Sequence, residues 1–345
     1  MAARVTLKNL AEAAGVSISA VSMALRDHPR ISEAKRVEIK RIASEMGYIY
    51  NRQAASLRRG SSDSVSICIN DLHNPVFIEF LTAIESEFRR SGKLVLLCNA
   101  HEDPEIQASF VHRMLEQGSA GLLLSPVEGT EPAELREIVR DRFPTVFFSR
   151  MLEGSDFDHA INDDACGMQL AVEELVRLGH RHFAWIGGGQ ATSTARGRVR
   201  GFEAAVARFG LSCPPEQVER VAETSLEAGR KAMAAILARA PHVTAVVCFS
   251  DLLALGALVQ CRDAGQRVGE DISIIGHDDL EEASYFEPGL SSVKVAKGEI
   301  GQAAARLLLA RIAWPDAPPA REVVAPRLVL RGSTGPCRPR KAGGS

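Results

Sequence analysis

Residues 10–32, LAEAAGVSISAVSMALRDHPRIS, read as two short helices joined at a Gly-Val-Ser corner, and neither helix carries an obvious catalytic group. Working outward, Leu7, Leu10, Ala11 and Ala14 fall at i, i+3, i+4 and i+7, the stripe of an amphipathic helix capped by Thr6. Gly15 suits the left-handed residue that ends such a helix, and Ser17 can cap a second one whose inner face is Val21, Ala24 and Leu25. Helices joined this closely must cross sharply. A third helix is predicted from Ser32, with Ile39, Ile42, Ala43 and Met46 as its stripe and Gly47 as its stop. The trio reads as a helix-turn-helix, in which the second helix enters the major groove; the alternative is an ordinary helical hairpin.

Charge favours the first reading. Residues 1–60 hold eleven Lys and Arg against five Asp and Glu, a formal +6, so the rest of this 345-residue chain of net charge −2 carries −8. A basic module on an acidic body suits a polyanion partner for the module alone. The segment that follows, YNRQAASLRRGSSDS (50–64), is polar and basic with Leu57 as its one sizeable aliphatic side chain, as expected of a linker able to form a short helix when a partner stabilises it.

From Ser64 onward apolar strand-like runs alternate with helical ones: SVSICIND, PVFIEFLTAIESEFRRSG, LVLLCNA, and a second such series after Asp163. This is the pattern of βαβ units on parallel sheets, here two similar α/β halves, with ligands expected beyond the carboxyl ends of the strands. No apolar run is long enough to span a bilayer and the start carries no secretory h-region, so the expected compartment is the cytoplasm. The seven cysteines sit mostly in apolar stretches without a C-x-x-C pair, as reduced core residues rather than metal ligands. GGGQATSTARG (187–197) matches neither a dinucleotide fingerprint nor a P-loop and reads as a turn at a cleft edge. His180, His182 and His277 lack metal-ligand spacing, and Asp278 and Asp279, adjacent on an extended segment, point to opposite faces. No enzyme, cofactor or metal is expected. An exported solute-binding protein would need a signal segment, and a sugar kinase or dehydrogenase a nucleotide fingerprint.

The stretch VTLKNLAEAAGVSISAVSMALRDHPRISEAKRVEIKRIASEMGYIYNRQAASLRRG closely resembles the DNA-binding headpiece of the LacI/GalR family of bacterial transcription regulators, where VT..DVA..AGVS..TVS..L recurs. The likeness continues through HAINDDACGMQLAVEELVRLGHRHFAWIGG, RVRGF, CFSDLLALGAL and ISIIGHDDLEEASYFEPGLSSV, to about Leu330. It implies a small all-α helix-turn-helix headpiece (1–49), a hinge (50–62), and an α/β core like periplasmic binding proteins, made of two parallel-sheet subdomains with three crossing strands. The expected division is 63–162 with 291–323, and 163–290 with 324–332; residues 333–345, rich in Gly, Pro and basic groups, are expected to be a disordered tail.

The resemblance also implies roles. A homodimer would bind a near-palindromic duplex operator and respond to a small sugar-like effector in the inter-subdomain cleft; tetrameric relatives end in a leucine-heptad helix, which RGSTGPCRPRKAGGS does not resemble. Ile18, Ser19 and Met23 match base-reading positions, with Ala20 on the same helix. Met23 stands where relatives commonly have Arg, so apolar contact, for example with a thymine methyl, replaces a bidentate guanine contact. Thr6, Ser17, Ser22 and Asn51 match groups that hold the DNA backbone. In the hinge, with Ala54 and Arg58, Leu57 either wedges into a central minor-groove step or packs on its own module.

For the effector, Arg198 matches an arginine directed at hydroxyls or carboxylates, Asp278 an aspartate that accepts from sugar hydroxyls, and Asp251 another strand-end group. Thr194, Val76 and Phe77 join them, Phe77 either stacking on a ring or filling core. Ser149 stands where many relatives have Asp, and Thr224 where an aromatic often packs on the sugar. Arg150 either favours an anionic effector, a sugar acid or sugar phosphate, or pairs with Asp156 or Asp158.

Overall fold

The computed structural model describes residues 5–49, 62–139, 143–189 and 191–338, and the chain divides into a unit ending at Ser62 and one beginning at Asp63. The first contains α1 (Leu7–Ala14), α2 (Ile18–Ala24) and α3 (Glu33–Glu45). The first two begin where their caps predict, and α3 follows Ser32, whose side chain makes no capping bond. Thr6 Oγ1 accepts from Asn9 N at 3.3 Å while Asn9 Oδ1 accepts from Thr6 N at 3.0 Å, a reciprocal cap that satisfies two amide donors at the helix start. Gly15 ends α1 at φ 63°, and Ser17 Oγ accepts from Ala20 N at 3.1 Å to start α2. Leu10, Val21, Ala24 and Ile39 are wholly buried together, so three short helices that would fray alone stabilise one another.

The second unit runs β1 (Ser64–Ile69), α4 (Val76–Arg90), β2 (Leu94–Asn99), α5 (Pro104–Glu116), β3 (Leu122–Leu124), α6 (Pro132–Val139), β4 (Thr145–Phe148) and β5 (Asp158–Asn162). It continues with α7 (Asp164–Arg177), β6 (Phe183–Ile186), α8 (Ser193–Arg208), β7 (Val218–Glu219), α9 (Leu226–Arg239), β8 (Ala245–Cys248), α10 (Asp251–Asp263) and β9 (Ser273–Asp278). Last come β10 (Ser291–Lys294), α11 (Lys297–Ala313), β11 (Arg321–Val324) and β12 (Arg327–Val329). The strands form two sheets of order β11-β5-β4-β3-β1-β2 and β12-β10-β9-β8-β6-β7, parallel throughout except for β12 against β10. Central strands such as FAWI (β6) and AVVC (β8) are buried at every residue, because helices cover both faces of a parallel sheet.

The chain passes between the sheets three times: after β5, after β10 and after β11. Two expected boundaries are thereby corrected. Residues 291–294 belong to the second sheet, since β10 pairs with β9 from Ser291↔Ile275 to Lys294↔Asp278 and buries Val293, so the crossing falls after Lys294. Val324 remains in the first sheet, opposite Asn162. The expected disordered tail is also corrected as far as Arg338. Ser333 is fully buried, its hydroxyl accepting from Ser291 N at 2.8 Å and donating to Ile274 O at 2.7 Å. Gly335 O accepts from Ser273 Oγ, and Cys337 N donates to Leu178 O at 2.8 Å. Gly335 permits this docking, because a Cβ there would collide with Gly269 O. Tyr50, Asn51, Ala54, Leu57 and Arg58 lie outside the described residues, as do residues 339–345.

Candidate functional site

On α2, Ile18 is 46% exposed and Ser19 is exposed, while Ala20, Ser22 and Met23 are half-buried and Val21 and Ala24 turn into the core. The helical period thus separates candidate readers from core residues along seven positions. Met23 and Ser22 also serve the fold through their backbones: Met23 O accepts from Arg26 N and His28 N, and Ser22 O from Arg26 Nε at 2.9 Å. Ser17 uses an acceptor lone pair for its cap and retains an O–H to donate.

Within the α/β unit, a cavity of about 690 Å³ lies at the carboxyl ends of the strands of both sheets. Val76, Phe77, Ser149, Arg150, Thr194, Arg198, Thr224 and Asp278 all line it. Phe77 lines the cavity and at 3% exposure also fills core, packed against Phe80 with ring centroids 6.0 Å apart.

Arg198 projects from α8 and is 7% exposed. Its Nε lies 3.0 Å from Asp164 Oδ1, Nη2 3.3 Å from Asp278 Oδ1, and Nη1 donates to Phe249 O at 2.6 Å. The guanidinium sits 4.6 Å from the centroid of the Phe249 ring. Burial opposes the charge on Arg198, but the Asp164 and Asp278 carboxylates outweigh it and raise its pKa. Burial likewise pushes Asp278 up, but the Arg198 charge, joined by the hydrogen bond from His277 and the Lys297 charge, more than reverses it and holds Asp278 below the usual carboxylate range.

His277, fully buried, completes the group. Asp278 Oδ1 accepts from its Nδ1 at 3.2 Å, which fixes the proton there, while Nε2 has no hydrogen-bond partner and faces Asp164 Oδ1 at 3.6 Å. Burial first, then Arg198, lowers the His277 pKa. Asp278 adopts φ 116° and Asp279 φ 52°, a strained corner held because Lys297 Nζ donates to Asp278 O at 2.9 Å and Asp279 pairs with Arg331 at 2.7 Å. The two aspartates do face different partners.

Asp251 is corrected. It is wholly buried and does not line the cavity: Ser292 Oγ meets its Oδ1 at 2.6 Å and Leu280 N its Oδ2 at 2.7 Å. Gly276 makes room for it, since a Cβ there would strike Asp251 Oδ1. The preceding residue, Ser250, caps α10 and lines the cavity instead. Arg150 is corrected as well. It forms a fork on Glu102, Nη1 to Oε2 at 3.0 Å and Nη2 to Oε1 at 2.8 Å, whereas Asp156 pairs with Arg136 and Asp158 with Arg311. Burial raises the Glu102 pKa and Arg150 more than offsets this, so Glu102 titrates below its ordinary value.

Sequence reasoning missed Asn162, Asp164, Glu102, Glu128 and Phe249. The signal for Asp164 was the doubled Asp of INDDACG, where Asp163 accepts from Cys166 N as the cap of α7 and leaves Asp164 at the first helical position. It also missed that Asp71 and His73, which line the cavity, and the exposed His101 bring ligand-type atoms within 4.8 Å of one another. Among the described residues, contacts that join the two lobes include Ala191 N to Glu128 Oε1 at 2.8 Å, Met151 N to Ser193 Oγ at 3.0 Å, and Arg196 to Glu153 at 3.2 Å. Among the described residues, no helix is long and apolar enough to cross a membrane.

Residues 6–51 match the family described as bacterial regulatory proteins, lacI family, and residues 172–334 match a periplasmic binding protein-like domain. The chain is 32% identical over 310 residues to the HTH-type transcriptional repressor PurR of Pectobacterium carotovorum subsp. carotovorum, covering 89% of this chain and 90% of that protein. It is 32% identical over 270 residues to the maltose regulon regulatory protein MalI of Escherichia coli, 78% of each. Among solved structures, the Lac repressor dimer bound to operator and the anti-inducer ONPF superposes with a TM-score of 0.87 at 27% identity, over 96% of this chain and 99% of that chain.

Proposed function

The chain belongs to the LacI family of bacterial regulatory proteins, and from that premise we propose that it represses transcription as a homodimer on a near-palindromic operator, under control of a sugar-like effector in the α/β cleft. The observation that carries this reading is the cavity between the carboxyl ends of the two sheets, lined from both lobes. A ligand there touches both lobes at once, so it stabilises one arrangement over the other by the difference in its contacts and changes DNA affinity by no more than that difference.

In this reading Ile18, Ser19, Ala20 and Met23 face base edges, Thr6, Ser17, Ser22 and Asn51 hold phosphates, and Ala54, Leu57 and Arg58 engage the minor groove between half-sites. Val76, Phe77, Ser149, Arg150, Thr194, Arg198, Thr224 and Asp278 enclose the effector.

The test is selection of duplex DNA from a randomised library by the full chain, with residues 63–345 as control. The expected result is a near-palindrome enriched by the full chain alone, with affinity falling steeply as salt rises because bound phosphates release counterions. Enrichment by the fragment, or salt-independent binding, refutes it. Sedimentation of the full chain with a two-half-site duplex checks the dimer: two chains per duplex are expected, and one chain rejects it.

A further inference from the structure

On the reading of the cleft as the effector site, we infer that its ligand is a cationic polyol, a sugar-sized molecule bearing an ammonium group, and that sugar acids and sugar phosphates are excluded. The cavity is lined by six carboxylates, from Asp71, Glu102, Glu128, Asp164, Glu223 and Asp278, against two guanidiniums, from Arg150 and Arg198, a formal charge of −4. Both guanidiniums are already matched. Arg150 is held in its fork by Glu102, and Arg198 lies between two aspartates and a carbonyl, so this trio keeps a net negative charge. His277, its pKa lowered by burial, adds no positive charge at neutral pH. An anion entering here would either break an ion pair or sit among uncompensated carboxylates, while a cation is drawn in by the same field.

Hydrogen-bond valence adds a demand for a donor. Asn162, 6% exposed, commits its amide N–H to Asp164 Oδ1 at 3.2 Å, which leaves Asn162 Oδ1 as a buried acceptor with no partner. A buried acceptor without a donor is unfavourable, and a ligand that donates there removes the penalty. An ammonium brings three donors and its charge; a hydroxyl, which neutral sugars, sugar acids and sugar phosphates all carry, brings one, so this acceptor calls for a donor and the charge of the cavity selects which ligand supplies it. The floor already accommodates a cation over an aromatic face, since the Arg198 guanidinium lies over Phe249. At about 690 Å³ the cavity holds a sugar-sized molecule.

The test is calorimetric titration of the full-length protein with matched sets in the gluco and galacto configurations: hexosamine, neutral hexose, hexuronate and hexose 6-phosphate. In at least one set the amine is expected to bind at least about tenfold tighter than its neutral parent, with the uronate and phosphate weakest and the advantage shrinking as ionic strength rises. The isosteric pair Glu128→Gln and Glu223→Gln removes two of the six lining charges, which leaves a formal −2, and should cut the advantage of the amine over the neutral hexose severalfold without abolishing it. A uronate or phosphate binding as tightly as the neutral hexose overturns the inference, as does a neutral hexose that matches the amine in the wild type. Operator titrations on the same samples separate the two readings. A neutral or anionic sugar that binds and shifts operator affinity overturns the charge selection while leaving cleft regulation standing. Silence of every set in both assays, with operator binding intact, counts against both.

Discussion

On α2 of the headpiece, Ile18 and Ser19 stand in solvent while Val21 and Ala24, on the other side of the same two turns, hold three helices together. In the cleft, Arg198 lines the cavity and is at the same time buried between Asp164 and Asp278. Under the proposed function, the helix period separates recognition from folding in the first region. In the second, one side chain serves both, because a polar group at the bottom of a cavity must be satisfied by its own protein before any ligand arrives. Substitutions should therefore split: large stability losses at the cleft floor, small ones on the outer face of α2.

The largest effect is expected for Arg198→Ala. It leaves two carboxylates buried without their shared cation, and removing one member of such a group costs about 3–5 kcal/mol. Urea unfolding of the full chain measures this, and operator titration should show that whatever folded protein remains no longer responds to effector. A wild-type midpoint would mean that the Arg198 group is solvated and that floor and headpiece obey the same rules.

Asp251 tests whether a buried group behind the cavity wall behaves in the same way. Burial, with Asp278 adding to it, pushes its pKa up to about 8 against an ordinary value of 3.8, and the bonds from Ser292 and Leu280 oppose the shift without cancelling it. The folded state therefore keeps a proton that the unfolded chain releases. That stabilisation is full below about pH 4, declines as pH rises, and is gone above about pH 8. Asp251→Asn mimics the protonated form, with the amide able to donate to Ser292 and accept from Leu280. The decline in stability from pH 5 to pH 8 should thus be smaller in the variant by on the order of 3 kcal/mol, read from urea midpoints. Parallel profiles would show that Asp251 is ionised in the fold.

Thr6→Ala moves to the headpiece and removes one half of the reciprocal cap on α1. The expected loss is about 1 kcal/mol, seen as faster amide exchange along α1 with the α/β unit unchanged. Wild-type protection would mean that helix packing alone sets the start of α1.

The same division explains what could be read in advance. The headpiece helices and their caps were legible, because Thr6, Gly15 and Ser17 act on neighbours within four residues. The alternation of strands and helices was legible because buried parallel strands must be apolar throughout. The place of β10, the docking of residues 333–338, and the partners of Arg150 and Asp251 were not. Each depends on contacts between distant parts of the chain, such as Arg150 with Glu102 or Asp251 with Ser292, on which local spacing is silent. Eight cavity residues followed from the family likeness, but the charge balance of the cavity did not. It turns on Glu102, Glu128, Asp164 and Glu223, whose convergence only the fold reveals.

The smallest effect on folding is expected at Met23, and it gives the sharpest test of the comparison. Its backbone carbonyl anchors the turn after α2 through Arg26 N and His28 N, and neither bond involves the side chain. Met23→Arg should leave the melting of the full chain within about 0.5 kcal/mol of wild type. A bidentate guanine contact is worth about 1–3 kcal/mol of discrimination, so selection from a randomised duplex library should gain a guanine at one position of each half-site. A loss of stability above about 1 kcal/mol would make Met23 part of the core, and the separation of reading from folding on α2 would fail. An unchanged selected site with unchanged stability would keep the separation but remove Met23 from the base-reading set, leaving Ile18 and Ser19 as the side chains through which α2 distinguishes one sequence from another.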